Sequence, residues 1–312
     1  MNCPLLALAG GVGGAKLAWG LAQVLPPEEL LIVVNTGDDE EFYDLHVSPD
    51  LDTVMYTLAG LANPQTGWGI EGDSFNVLDM MAHYGAPSWF KLGDRDLATH
   101  IQRSRLLSAG QSLSQVTRRL CQSLGVQHRV VPMSDERLRT VVITDEGELS
   151  FQRYFVACRC RPQVHSLRFE GAGDARPAPE FAQALEQASG LIFCPSNPFL
   201  SIAPILALAG LRDRIASFSR GPRLAVSPIV HGQALRGPAG KLLGELGYEI
   251  SCLGAARQYL GLCDIFVIDE QDADQAQAIS ELGLQVEIAQ TVMSSDQDRV
   301  ELANLLLRLL RA

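Results

Sequence analysis

The stretch Pro4-Leu5-Leu6-Ala7-Leu8-Ala9-Gly10-Gly11-Val12-Gly13-Gly14-Ala15-Lys16 decides the fold. Pro4 to Leu8 is a compact apolar run, glycines follow at once, and Leu17 to Leu25 then places apolar residues at helical spacing. Strand, glycine turn and helix in that order open a nucleotide-binding unit. Without Cβ atoms at the turn, backbone N–H groups can approach a phosphate at the helix amino end, where the dipole also favours negative charge. Gly10, Gly11, Gly13, Gly14 and Lys16 are therefore candidate ligand contacts. The run departs from G-x-G-x-x-G because Lys16 takes the third glycine's place, and it lacks the Gly-Lys-Ser/Thr ending of a P-loop. A tight turn with no ligand is the plainer alternative.

Leu30 to Val34 is a second buried strand, ending at Asn35-Thr36-Gly37-Asp38-Asp39, and it completes the opening of a right-handed βαβ unit. The carboxyl end of that strand delivers residues to the site, which makes Asn35 and Asp38 candidates. With Glu40 and Glu41 beside them, Asp38 and Asp39 read equally well as ribose ligands or as a solvated acidic turn. The parallel pattern returns at Gly190 to Cys194, Arg223 to Val226 and Asp264 to Ile268, among helical stretches. Polar turns follow two of these: Pro195-Ser196-Asn197-Pro198 and Ser227-Pro228. Gly237-Pro238-Ala239-Gly240-Lys241 is a third backbone-rich turn, and all three are expected at one sheet edge, with Ser196, Asn197 and Ser227 facing a ligand.

The fold class expected is α/β: a Rossmann-like parallel sheet with a helical lobe and a small antiparallel β insertion. Residues 1–50 and 171–312 form the nucleotide-binding core, residues 51–125 the helical lobe over the site, and residues 126–170 the antiparallel element. From Leu51 to Leu124 the pattern is mostly helical. Between Val126 and Ala157, β-branched segments at Thr140 to Thr144 and Leu149 to Val156 flank Asp145-Glu146-Gly147, a hairpin signal. The last seventeen or so residues carry a leucine stripe that packs a helix on the sheet.

Ser48-Pro49-Asp50-Leu51-Asp52-Thr53 sets two carboxylates at a helix start, after an extended entry that Ser-Pro enforces. Residues at i and i+2 do not share a helix face, so joint action would require Asp50 to precede the helix proper. Carboxylates beside a diphosphate are the hard oxygen ligands that Mg²⁺ prefers, and one could orient an attacking hydroxyl. Lys91-Leu92-Gly93-Asp94-Arg95-Asp96, followed by Thr99-His100, Arg103 and Arg105, would in isolation pass for a charged loop. The histidines show no ligand spacing, and no G-x-S-x-G elbow appears.

An apolar fraction of 47% and a charged fraction of 20% fit a globule with a sizeable core. The net charge of −11 disfavours nucleic acid and anionic membrane as partners, but a local amide-lined or metal-filled pocket can still hold a small phosphorylated molecule. No basic start precedes the first apolar run and no apolar stretch is long enough to span a bilayer. The seven scattered cysteines read as reduced thiols, so the expected location is cytoplasmic. Cys158 and Cys160 lack the second pair that a zinc site needs.

Taken in order, Gly10 to Gly14, Asn35 to Asp39, Ser48 to Thr53, Trp68-Gly69, Lys91 to Asp96, Pro132-Met133-Ser134-Asp135, Pro195 to Pro198, Ser227-Pro228-Ile229 and Met293-Ser294-Ser295 resemble one family along the whole chain. It is the 2-phospho-L-lactate transferase family of coenzyme F-420 biosynthesis. The resemblance implies that a phosphoenolpyruvyl, 2-phospholactyl or 3-phosphoglyceryl group passes from its guanosine diphosphate adduct to the ribityl hydroxyl of the deazaflavin Fo, releasing GMP. It further implies Mg²⁺ as cofactor and a homodimer. Carried over by motif, Asp52 and Lys91 are the Fo-contacting positions, with Gly93, Asp94 and Arg95 beside them, and Asp50 and Asp38 serve the metal. Asp52 and Asp50 are the catalytic candidates.

Two rivals stand beside this reading. A related group of regulators shares the fold and binds nucleotide-linked sugars, but carries a glycine- and serine-rich stretch where this chain has Glu40-Glu41-Phe42-Tyr43-Asp44. An NAD-dependent oxidoreductase would suit the glycine turn alone, and Lys16 counts against it.

Overall fold

In the computed structural model, which describes residues 4–235 and 237–311, the opening apolar runs become the centre of a seven-stranded sheet. Its strands are β1 (Leu5–Ala9), β2 (Leu30–Val34), β3 (Arg129–Pro132), β4 (Gly190–Phe193), β5 (Arg223–Val226), β6 (Ile265–Asp269) and β7 (Gln285–Ala289). The spatial order is β7-β6-β5-β4-β1-β2-β3, and every pairing is parallel. Successive side chains point to opposite faces of a strand. Leu6, Leu8, Leu31 and Val33 accordingly join one apolar core, while Leu5, Ala7, Ala9, Leu30, Ile32 and Val34 join the other. Burial on both faces explains why these strands read as unbroken apolar runs.

Helix α1 (Gly11–Val24) leaves β1 and packs between α2 (Pro49–Leu58) and the carboxyl-terminal helix, Asp296–Arg311. The chain winds from β1 to β2 and β3 on one side, then returns to lay β4 against β1 and proceeds to β7 on the other. The winding therefore reverses between β1 and β4, and a crevice opens outside the carboxyl ends of that strand pair.

Two expectations are corrected. Arg129–Pro132, assigned by sequence to the antiparallel insertion, is the edge strand β3 of the large sheet. The segment Leu149 to Val156 is not one strand: Gly147–Ser150 pairs with Arg139–Thr144, after which the chain turns into a π-helix at Arg153–Ala157. Tyr154 is fully buried there, while Phe151 and Phe155 stack with centroids 5.4 Å apart, a helical spacing that outweighs the β-branched texture. The run from Asp94 to Ser108 is helix α3, in keeping with the helical pattern of Leu51 to Leu124, with Asp94 and Asp96 in its first turn. The three-stranded antiparallel sheet itself, with Arg139–Thr144 between Gly147–Ser150 and Val164–Glu170, lies where the hairpin signal placed it.

Candidate active site

The crevice at the reversal point is a cavity of about 1080 Å³. Its floor is the glycine turn. Gly11 has φ +62°, a left-handed conformation that favours glycine, and its N–H donates to Asp50 Oδ1 at 2.7 Å. The Ser196 hydroxyl, arriving from the end of β4, accepts from the Gly10 N–H at 3.0 Å and donates to the Gly10 carbonyl at 2.9 Å. Any Cβ on Gly13 would run into the carbonyl oxygen of Pro195. The turns after β1 and β4 thus close on one another only because these side chains are small or absent. Lys16 Nζ reaches across to the Met293 carbonyl at 2.6 Å and fastens α1 to the turn after β7.

Asp50 and Asp52 both lie in the first turn of α2 and both are buried. The expectation that joint action requires Asp50 to precede the helix is not met. Both carboxylates line the cavity, but each enters a separate network. Asn35 Nδ2 bridges Asp50 Oδ2 at 3.0 Å and Asp38 Oδ1 at 3.1 Å, and Gln152 Nε2 donates to the Asp38 carbonyl at 3.0 Å. Burial, reinforced by the neighbouring Asp50 and Asp39 carboxylates, holds the Asp38 carboxyl well above its ordinary range. Burial likewise pushes Asp50 up to about 6, against the hydrogen bonds from Asn35 and Gly11. Two adjacent buried carboxyls facing one cavity carry more negative charge than their surroundings neutralise, and a hard divalent cation is the group their chemistry fits.

Asp39 is no solvated turn residue. Burial raises its carboxyl, while His46 Nε2 and Ser48 Oγ each hold its Oδ2 at 2.8 Å.

Asp52 enters the second network. Both its oxygens accept from the fully buried Arg103: Oδ2 from Nη1 at 3.0 Å, Oδ1 from Nη2. The Asp52 carboxylate sustains the Arg103 charge, whose pKa rises despite the opposing effect of burial. Asp52, Asp96 and His100 bring potential ligand atoms within 4.8 Å of one another. A metal ion does not suit that trio, because the guanidinium already supplies the positive charge and also lies 3.2 Å from His100 Nδ1. Asp96 is held below its usual range: burial acts to raise it, and the contacts with His100 and Tyr56 prevail.

Gly10, Gly11, Gly13, Lys16, Asp38, Asp50, Asp52, Lys91, Ser196, Asn197 and Ser227 all line this one cavity. Gly14 and Asn35 stand just behind its wall: a Cβ on Gly14 would meet Ser196 Oγ, and Asn35 orients the two acids. Gly93, Asp94 and Arg95 are not in the wall. Asp94 instead accepts from Val77 N, Ser74 Oγ and Asn76 Nδ2, bonds that hold its carboxyl down to about 2, and Arg95 donates to the Glu71 carbonyl. These residues bind the lobe to itself. Sequence reasoning gave no role to Tyr56, Gln152, His100 or Arg103, nor to the rings of Trp89, Phe90, Phe151 and Phe155, which line the cavity with Trp68. Asp96, His100 and Arg103 recur at i, i+4 and i+7, and that polar stripe was the available signal.

Residues 5–307 match the model of the family described as 2-phospho-L-lactate transferase CofD. A phosphoenolpyruvate transferase of Streptomyces griseus is 41% identical over 300 residues, covering 94% of this chain and 94% of the relative. A 2-phospho-L-lactate transferase of Methanosarcina mazei is 37% identical over 304 residues, 97% of this chain and 99% of the relative. In three dimensions the chain resembles a crystal structure of a UPF0052 family member from Bacillus halodurans, with TM-score 0.63 over 98% of this chain and 99% of that one. At 13% identity, that likeness speaks for the fold alone.

Proposed function

Because the chain belongs to the 2-phospho-L-lactate transferase CofD family, we propose that it transfers a phosphoenolpyruvyl or 2-phospholactyl group from its guanosine diphosphate adduct to the ribityl hydroxyl of the deazaflavin Fo, in coenzyme F-420 biosynthesis. A 3-phosphoglyceryl group is the third candidate. One observation carries the reading beyond the family name: a single cavity of about 1080 Å³ is lined by the glycine turn, by the buried acids Asp38, Asp50 and Asp52, and by the rings of Trp68, Trp89, Phe90, Phe151 and Phe155. Pockets for one small ligand run to roughly 300–1,000 Å³, so this space admits a nucleotide adduct and a flat tricyclic alcohol together.

Phosphoryl transfer asks the protein for an in-line hydroxyl, a clamped diphosphate and neutralised oxygens rather than a covalent nucleophile. The glycine turn, Ser196 and Asn197 shape the pocket that clamps the diphosphate, with the Gly10 and Gly11 amides committed to Ser196 and Asp50. Asp38 and Asp50 would hold Mg²⁺, which would supply positive charge against the negative charge that develops on the leaving group. Lys91 and the aromatic wall seat the acceptor, and Asp52 receives a hydrogen bond from its hydroxyl. The new bond forms between that oxygen and the outer phosphorus, the bond to the bridging oxygen breaks, and GMP departs with the electron pair. Because the transition state is loose, the hydroxyl proton leaves late, through Asp52 to water. A homodimer belongs to the same reading on the family resemblance alone, and a cytoplasmic location on the scattered cysteines.

The test is mass spectrometry of Fo incubated with the purified chain, Mg²⁺, GTP, each candidate three-carbon acid and a guanylyltransferase to make the adduct. Fo gaining the mass of one phosphate-linked acid, with GMP released and turnover abolished by a chelator, is expected. Tight NAD binding with unaltered Fo would overturn the proposal.

A further inference from the structure

Arg103 never reaches the cavity: it is 1% exposed and sits behind Asp52, on α3. Its guanidinium grips both Asp52 oxygens and also lies 3.2 Å from His100 Nδ1. Since arginine nitrogens only donate, Nδ1 must be the acceptor and the His100 proton resides on Nε2, which faces Asp96 Oδ1 at 3.3 Å. Asp96 Oδ1 in turn accepts from the Tyr56 hydroxyl at 2.8 Å. Arg103 to Asp52 and Tyr56 to Asp96 are hydrogen bonds, while His100 Nε2 approaches Asp96 without completing one; the network ends on Asp52, the carboxylate in the cavity wall whose two oxygens both meet one guanidinium.

Stability alone is a poor reason for this arrangement. The Arg103 Nε has no hydrogen-bond partner, and a buried ion pair can often be replaced by packed apolar side chains without loss of stability. What the fork supplies is aim. Two parallel N–H···O bonds fix the plane of a carboxylate as well as its position, whereas an ammonium fixes one distance and leaves the plane free.

We infer that Arg103 is a positioning residue for the transfer: by its two-point hold on Asp52, braced by His100, it aims that carboxylate at the acceptor hydroxyl. The inference rests on the function proposed above and adds a residue that touches neither substrate.

The experiment uses the full chain and measures donor KM, kcat and GDP affinity. Arg103→Lys retains the buried charge and removes the fork. A misplacement near 1 Å costs on the order of 10²-fold in rate, so kcat is expected to fall by about that factor, with donor KM and GDP affinity within about twofold of wild type. Arg103→Ala is expected to lose more, and millimolar guanidinium ion should restore part of its kcat, which a merely structural role would not allow. Wild-type kcat in Arg103→Lys overturns the inference, as does a fall in kcat matched by an equal loss of GDP affinity. If Arg103→Ala does not fold, the lysine variant decides by itself. Absence of transfer by the wild type would sink the proposed function instead, so the two failures are distinct.

Discussion

At the scale of single residues, the site works by contrast between two carboxylates separated by one position. Asp50 faces a bridging amide and a second acid, and its carboxyl is pushed up to about 6, while Asp52 has a guanidinium on both oxygens. Asp52→Asn should therefore do two things. It should cut kcat by about 10²-fold or more, because the acceptor loses its aimed partner. It should also lower stability by roughly 3–5 kcal/mol, since Arg103 is left as an uncompensated buried charge. Steady-state kinetics and urea unfolding read the two effects separately, and near-normal turnover would remove Asp52 from the chemistry. Gly13→Ala tests the other end. The added methyl must displace the Pro195 carbonyl, parting the turns after β1 and β4, so GDP affinity measured by calorimetry should fall at least about tenfold, or 1.4 kcal/mol.

At the scale of elements, the turn after β7 depends on an acid at the end of β6. Asp269 Oδ2 accepts from the Thr291 N–H and hydroxyl, both at 2.9 Å, and Oδ1 from the Gln271 N–H at 3.1 Å. Burial acts to raise the Asp269 carboxyl, but these bonds win and hold it below its ordinary value of 3.8. The group thus binds its proton less readily folded than unfolded, so its contribution to stability is complete above pH 3.8 and is lost as pH falls through the depressed folded value. Asp269→Asn should cost about 1–3 kcal/mol near neutrality, and the gap in melting temperature from wild type should narrow below pH ~3.8; a gap that does not vary with pH would exclude this account. The same scale shows what the sequence disclosed. Strands buried on both faces announced themselves as apolar runs, so β1, β2, β4, β5 and β6 were legible, and so were the glycine and Ser-Asn turns that follow two of them. The edge strand β7 was not, because Gln285, Glu287 and the exposed Ile288 interrupt its apolar character. The Arg103 network escaped for a different reason. Its polar residues recur at i, i+4 and i+7 along α3, which marks a common face, but whether that face is buried depends on the tertiary contact with α2. The aromatic lining gathers rings from three distant segments, of which the sequence motifs picked out Trp68 alone.

At the scale of the whole molecule, one cavity draws its lining from the turns after β1, β4, β5 and β7 and from both intervening lobes. Ligand binding should accordingly stabilise the chain as a unit. At a GDP concentration of 100 Kd the gain is about 2.7 kcal/mol, and calorimetry should show one transition moved upward; an early transition untouched by GDP would mark a lobe that melts independently. The route of the chain through the sheet has a further consequence. The stretch from the end of β2 to the start of β3 contains α2, α3, Trp68 and Trp89, and hence Asp52 and Arg103, whereas the amides around Gly10 and Ser196 come from outside it. Because that stretch also carries Asp38 and Asp50, under the proposed function a rewritten crossover would disturb the grip on the diphosphate along with the grip on the alcohol.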